Sequence, residues 1–391
     1  MRNYLKTTAG IALSMGVSTV ALADVSIGSL QGYTGPLESL IGDIHDGTVL
    51  AASEANASGW YAHGEISVPQ GDSKCIDADA AIAEAERLIN DGVIALVGPN
   101  CSGVTTAVIN NVTAANGVVN ISPSATSPAL STIEDNGFFF RTAPSDARQG
   151  QVLAAIAMGR GITSVAVTFT NNDYGKGLAD AFVGSYEALG GTVTVNSGHE
   201  EGKADYSADV ASLSAGGSSV LAVFGYADGG ALSLTTASID TGAFDSYIFA
   251  DGMIGSGPAL GGLDGLDGSW GTAPGGSNAA ASWATVTSAA GITPGPYSGE
   301  AYDAMALIIL ASQASTDRGD IQAAMMSIGN APGVEIKAGQ IGLGLHTLAN
   351  GGEIDYVGAT GVEFNDVGEV KGSFLEYNIV GTAWTSHKTH K

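Results

Sequence analysis

Ile94-Ala95-Leu96-Val97-Gly98-Pro99-Asn100-Cys101-Ser102-Gly103 reads as a short apolar strand, a Gly-Pro turn and the entry to a helix that runs over Val104 to Ala115. The same exchange recurs along the chain. Helices are predicted over Ala80 to Asn90, Gln149 to Met158, Gly177 to Leu189, Ser207 to Leu213 and Ala231 to Thr236. Strands are predicted over Val118 to Ile121, Val165 to Phe169, Thr192 to Val195, Val220 to Phe224 and Tyr247 to Ala250. Upstream, Val25 to Leu30 alternates like a strand, and Gly42 to Asn56 places Ile44, Thr48, Ala51, Ala52 and Ala55 near helical spacing. Strands alternating with helices of this length mean an α/β protein whose parallel sheets are covered on both faces.

Seven or more such units exceed one sheet, and the 391 residues suffice for two domains. Arg141-Thr142-Ala143-Pro144-Ser145 carries a break suited to a crossing between lobes. A second break is expected near Trp270-Gly271-Thr272-Ala273-Pro274, inside the Gly-rich segment from Gly252 to Gly276. The helical pattern resumes over Ser298 to Gln313, so the chain leaves the first lobe and returns to it. Gly261 to Gly268 resembles one copy of a calcium-binding nonapeptide, but one copy is not an array, and a loop is expected there. His387 to Lys391 is expected to be a frayed end.

Arg2 and Lys6, the apolar run Ala9 to Val20 and the triplet Ala21-Leu22-Ala23 have the three parts of a secretory signal, with cleavage expected before Asp24. The apolar run is shorter than a membrane span needs, so direct membrane insertion is not expected. The chain has 14 Lys and Arg against 39 Asp and Glu, a net charge of −25, which repels phosphate backbones and excludes a nucleic-acid partner. In an exported chain, two cysteines, Cys75 and Cys101, read as one disulfide. Zinc is the other reading, but it normally needs four ligands, and His63 is the only histidine near the pair in sequence.

Ligands of open α/β sheets sit outside the carboxyl ends of the strands, which directs attention to four turns. Gly98 to Gly103 and Ser122-Pro123-Ser124-Ala125-Thr126-Ser127 offer hydroxyls and backbone N–H groups suited to a carboxylate. Gly225-Tyr226-Ala227-Asp228 and Asp251-Gly252 offer a phenol and a carboxylate suited to an ammonium group. Ordinary helix capping is the competing reading of each Ser and Thr. No G-x-S-x-G elbow, H-E-x-x-H pair or phosphate loop occurs, and the six histidines are scattered, mostly in apparent loops or on exposed helix faces. A secreted hydrolase built on Ser102 stays open, because triad partners meet in space.

These residues resemble the periplasmic leucine/isoleucine/valine-type binding proteins of ABC transporters. The resemblance rests on Gly32-Tyr33-Thr34-Gly35-Pro36, Gly47, Asn56-Ala57-Ser58-Gly59, Ile89-Asn90-Asp91-Gly92-Val93, Gly98 to Ser102 and Ile121 to Leu130. It continues through Asp173-Tyr174-Gly175-Lys176-Gly177, Ala301-Tyr302-Asp303-Ala304 and Phe364-Asn365-Asp366-Val367-Gly368. It implies the type I periplasmic binding protein fold, with two Rossmann-like lobes and a hinge of three crossings, the third near Lys371. The expected division is 1–23 as signal, 24–143 with 272–370 as the N-terminal lobe, and 144–271 with 371–391 as the C-terminal lobe.

The resemblance further implies that Ser102 and Thr126 donate to a ligand's α-carboxylate and that the backbone carbonyl of Ser124 meets its ammonium group. Tyr174 and Tyr226 would close over the ligand, and Asp251 would pair with the ammonium where relatives more often have Glu. Leu40 stands where relatives often have a bulky aromatic. The family often has a disulfide at the positions of Cys75 and Cys101. The expected function is capture of a small amino acid, branched or aliphatic favoured, and delivery to a membrane permease, without a cofactor or catalytic residue. Amide, urea or aromatic-acid binding, or chemosensing in place of transport, are the alternatives that the same fold serves.

Overall fold

A computed structural model of the chain describes residues 24–254, 260 and 263–391. The signal segment and Gly261-Gly262 lie outside these residues. Five parallel strands form a first sheet in the order Gln70–Asp72, Gly28–Gln31, Ala95–Val97, Val119–Ser122 and Phe139–Arg141. A second sheet runs Ala383–His390, Phe374–Val380, Trp270–Pro274, Ser246–Phe249, Val220–Phe224, Ser164–Thr170 and Thr192–His199. Its first two strands are antiparallel additions at one edge, and the other pairings are parallel. Each sheet is doubly wound: the second strand in chain order lies on one side of the first, and the later ones on the other. Each therefore has a switch point, where the loops diverge and leave a crevice.

The parallel strands are apolar because helices cover both faces. Ala95, Leu96 and Val97 are fully buried, as are Leu221, Ala222 and Val223. Helix Ser298–Ala311 is buried along its whole length between the first sheet and helix Glu38–Ser58. Each buried Leu or Ile there contributes roughly 1.5–3 kcal/mol relative to exposure. In the second lobe, helices Asp146–Gly159 and Asp173–Ala188 pack together in the same way.

The chain passes from one sheet to the other three times. It leaves the first after Arg141, returns between Pro274 and Ser298, and crosses again between Glu369, bridged to Arg141, and Phe374. Trp270–Pro274 is thus a strand of the second sheet and not a break, and the return follows it. The C-terminal residues are also not frayed: Ala383–His390 pairs with Phe374–Val380, and His390 Nε2 lies 2.8 Å from Glu376 Oε2. His199, expected in a loop or on an exposed face, is buried at the end of its strand, with Nδ1 2.9 Å from Thr168 Oγ1. Burial holds its pKa below the usual histidine value.

Beside the first crossing, the buried Arg141 guanidinium donates to the Ala125 and Ser127 carbonyls and, at 2.5 Å, to Glu369. The turn that contains Ser124 and Thr126 is therefore tied to the hinge.

Candidate functional site

At the first sheet's switch point, between Gly28–Gln31 and Ala95–Val97, the side chain of Asn100 spans the crevice. Its Oδ1 accepts the Gly32 N–H at 3.0 Å, and its Nδ2 donates to Ser124 Oγ at 3.2 Å. Gly98 makes this turn possible: its φ is +105°, and a Cβ there would sit 1.8 Å from the Leu30 carbonyl oxygen. Cys101, disulfide-bonded to Cys75 with Cα atoms 5.2 Å apart, holds the residue just before Ser102. Ser102 starts the following helix, and its hydroxyl accepts the Ser127 N–H at 3.1 Å. The hydroxyl proton stays free to donate, whereas an amide N–H cannot act as a base toward it.

Tyr174 and Tyr226 occupy the equivalent switch point of the second sheet, after strands Ser164–Thr170 and Val220–Phe224. Their rings stack at 5.1 Å. The Tyr174 hydroxyl accepts the Gly252 N–H and donates to Asp251 Oδ1, both at 3.1 Å. Asp251 follows strand Ser246–Phe249 and is buried. Its Oδ2 accepts from the hydroxyl of Tyr297, which caps helix Ser298–Ala311 of the opposite lobe.

Leu40, Ser102, Ser124, Tyr174, Tyr226 and Asp251 line one enclosed cavity between the lobes, together with Leu37, Ile44, Asn100, Cys101, Gly252 and Tyr297. Thr126 is not on that wall. Its buried hydroxyl has no hydrogen-bond partner, and its carbonyl accepts the Asp146 N–H at 2.8 Å. In this closed arrangement the cavity is about 10 Å³, room for about one water molecule, so a larger solute enters only when the lobes part. A clasp at the rim holds the lobes: Asp228 Oδ2 accepts the Ser39 N–H at 2.7 Å, at the start of helix Glu38–Ser58, and the Asp228 N–H donates to the Pro36 carbonyl.

Among the described residues no basic one lines the cavity. Burial raises the Asp251 carboxyl above the usual range, and the Tyr297 and Tyr174 hydrogen bonds oppose the rise. Asp146 is raised further, by complete burial and then by the charge of Asp251, with Thr126 and Arg141 acting the other way. Among the described residues neither Asp146 oxygen has a hydrogen-bond partner. The two buried carboxylates thus stand near each other, a repulsion that a cation would relieve. Sequence reasoning missed Tyr297, Asn100 and Asp146. For Asn100 the signal was present, since it sits in the turn already singled out between Gly98 and Ser102.

Two doubly wound lobes joined by three crossings and closed over a small polar cavity define a two-lobe capture protein. Residues 24–342 match the family model described as periplasmic binding protein, and the chain belongs to that family. It is 32% identical over 52% of its length to a Leu/Ile/Val-binding protein of Rhizobium johnstonii, covering 55% of that relative. Across three curated relatives, two of them named Leu/Ile/Val-binding and one amino acid binding protein, the match covers 55% to 63% of the relative's length. A chemotactic signal transduction substrate-binding protein of Halobacterium salinarum is 28% identical over 86% of this chain and 82% of the relative. The crystal structure of a leucine binding protein from Thermotoga maritima superposes with a TM-score of 0.77 at 20% identity, covering 94% of this chain and 99% of that one.

Proposed function

We propose that the protein captures a small α-amino acid between its lobes and presents it to an ABC-type membrane permease outside the cytoplasm. The observation that carries this reading is the placement of Asp251. It is a buried second-lobe carboxylate with no basic neighbour among the described residues of the cavity, which Ser102 and Ser124 of the first lobe also line. An ammonium group would meet Asp251, with Asp146 adding to the field. The α-carboxylate would take the free proton of Ser102, with Thr126 behind it. Leu37, Leu40 and Ile44 offer an apolar wall, which favours a branched or aliphatic side chain. The names of the Leu/Ile/Val-binding relatives support that choice. Secretion through residues 1–23 is part of the same proposal, as is the division into lobes at the three crossings.

Closure follows from shared contacts. A ligand held by both lobes favours the closed form by its differential affinity for it. Ser102 is a ligand donor in this scheme and not a nucleophile, since its hydroxyl is hydrogen-bonded to an amide and to no base.

The test is a thermal-shift screen of the mature chain against amino acids, amides and aromatic acids. A ligand of the folded state alone adds ~2.7 kcal/mol at a hundredfold excess over its Kd. Stabilisation by leucine, isoleucine or valine that is lost in Asp251→Ala supports the proposal. Stabilisation by amine-free ligands alone overturns it. The Halobacterium relative favours a second reading in which the closed form is read by a chemoreceptor. Loss of uptake in a deletion strain distinguishes transport from signalling.

A further inference from the structure

Behind Tyr297, on the side away from the interlobe cavity, lies a second and larger cavity of about 250 Å³. All three crossings contribute to it, through Thr142, Pro274 and Gly372 among others, and Trp283, Tyr297 and Tyr377 are among its lining residues. Among the described residues its one carboxylate is Glu300, a residue 6% exposed, and no Lys, Arg or His lines it.

The buried Asp303 and the half-buried Glu54 of this lobe are both engaged. Asp303 accepts from the Tyr356 and Thr360 hydroxyls and from the Ala359 and Thr360 N–H groups, and Glu54 accepts from Tyr302 and the Ile341 N–H. The Glu300 carboxyl takes no hydrogen bond from any other described residue; its own backbone N–H is its partner. Burial raises it to about 8, and the Tyr377 phenol on the same wall is raised by burial and then by the charge of Glu300. A carboxyl with no basic residue beside it on the wall, in a cavity that three aromatic residues also line, is a setting suited to an organic cation: the rings can attract it through their quadrupoles and the ionised acid neutralises it.

We propose that this hinge cavity is a second ligand site, separate from the interlobe cavity, which takes a compact methylated ammonium cation against Glu300, Trp283, Tyr297 and Tyr377. A cation there touches all three crossings at once, so it favours the lobe angle at which the cavity fits it.

The experiment is calorimetric titration of the mature protein with choline and with 3,3-dimethylbutan-1-ol, its uncharged isostere. Ionic strength is held constant with sodium chloride, because a chain of net charge −25 collects cations loosely. Choline is expected to bind at least about tenfold more tightly than the alcohol. Glu300→Gln, which keeps the shape of the side chain, and Trp283→Leu are each expected to weaken it by about tenfold or more. Ser102→Ala, which lies on the interlobe cavity and touches none of these four residues, is expected to leave choline binding within about threefold while weakening the amino acid, which separates the two sites. Equal binding of choline and the alcohol overturns the proposal, as does choline binding unchanged in both Glu300→Gln and Trp283→Leu, or lost in Ser102→Ala. If one hinge variant fails to fold, the other decides.

Discussion

The hydroxyl of Tyr297 donates to Oδ2 of Asp251 at 2.5 Å, across the boundary between the lobes, while Tyr174 holds Oδ1 from within the second lobe. One carboxylate is thus gripped from both sides of the hinge. Tyr174 orients it from within its own lobe, and the bond from Tyr297, made between the lobes, lies where closure can be sensed.

Removing the carboxylate and removing the grip should therefore differ. A charge-assisted hydrogen bond contributes about 1.5–3 kcal/mol, so Asp251→Ala is expected to weaken amino-acid binding by about ten- to a hundredfold or more. Tyr297→Phe keeps the ring and the charge and loses only the positioning bond; the expected loss is about three- to tenfold. Calorimetry on the two variants checks this. An equal loss in both would mean that Asp251 is effective only when it is gripped.

Asp228 closes the rim from the other side, accepting the Ser39 N–H at the start of helix Glu38–Ser58. The residue is exposed, so screening keeps the contact to about 0.3–1 kcal/mol. Asp228→Ala is expected to raise the ligand dissociation rate by about two- to fivefold with little change in association, and high salt should mimic it. Stopped-flow tryptophan fluorescence follows both rates.

Much of this was legible from local pattern. The strand–turn–helix alternation has a period that a short window captures, and the turns after Val97, Ile121, Phe224 and Phe249 lie where an open sheet exposes its strand ends. Tyr297 was not legible, because its partner is 46 residues away and it reaches the cavity from a left-handed backbone position, φ 63°, that nothing in its neighbours announces. The Asp228 clasp spans 189 residues and depends on how the lobes meet. The Trp270–Pro274 strand was hidden by its Gly and Pro, which read as a break. They are tolerated there because the pairing with Ser246–Phe249 stops at Gly271, so Pro274, the last residue of the strand, is paired on one side only.

The disulfide closes a loop between positions 26 apart in sequence and fixes the residue before Ser102. Chain-entropy arguments put its contribution at about 2–4 kcal/mol. The double variant Cys75→Ser with Cys101→Ser is expected to unfold in less denaturant by a corresponding amount. It should also bind ligand more weakly, since Cys101 itself lines the cavity. Urea titration with and without saturating ligand separates the two effects.

Glu300 makes stability depend on pH with a definite sign. Its carboxyl has an ordinary value of 4.5 and is raised by burial to about 8 in the folded chain. Between those values the folded state holds a proton that the unfolded state has released. The stabilisation is therefore complete below pH 4.5 and is lost as the pH rises through 8. Asp303, raised to about 6, adds a loss of the same sign over a lower range, so the wild-type slope alone does not identify Glu300. Glu300→Gln cannot release a proton, and nothing else at that position titrates. Its melting temperature relative to wild type is expected to rise steadily between pH 4.5 and pH 8 and to level off above. A difference that stays constant with pH would show that the Glu300 carboxyl titrates in the folded protein as it does in the unfolded chain, and hence that water or an ion already compensates its burial.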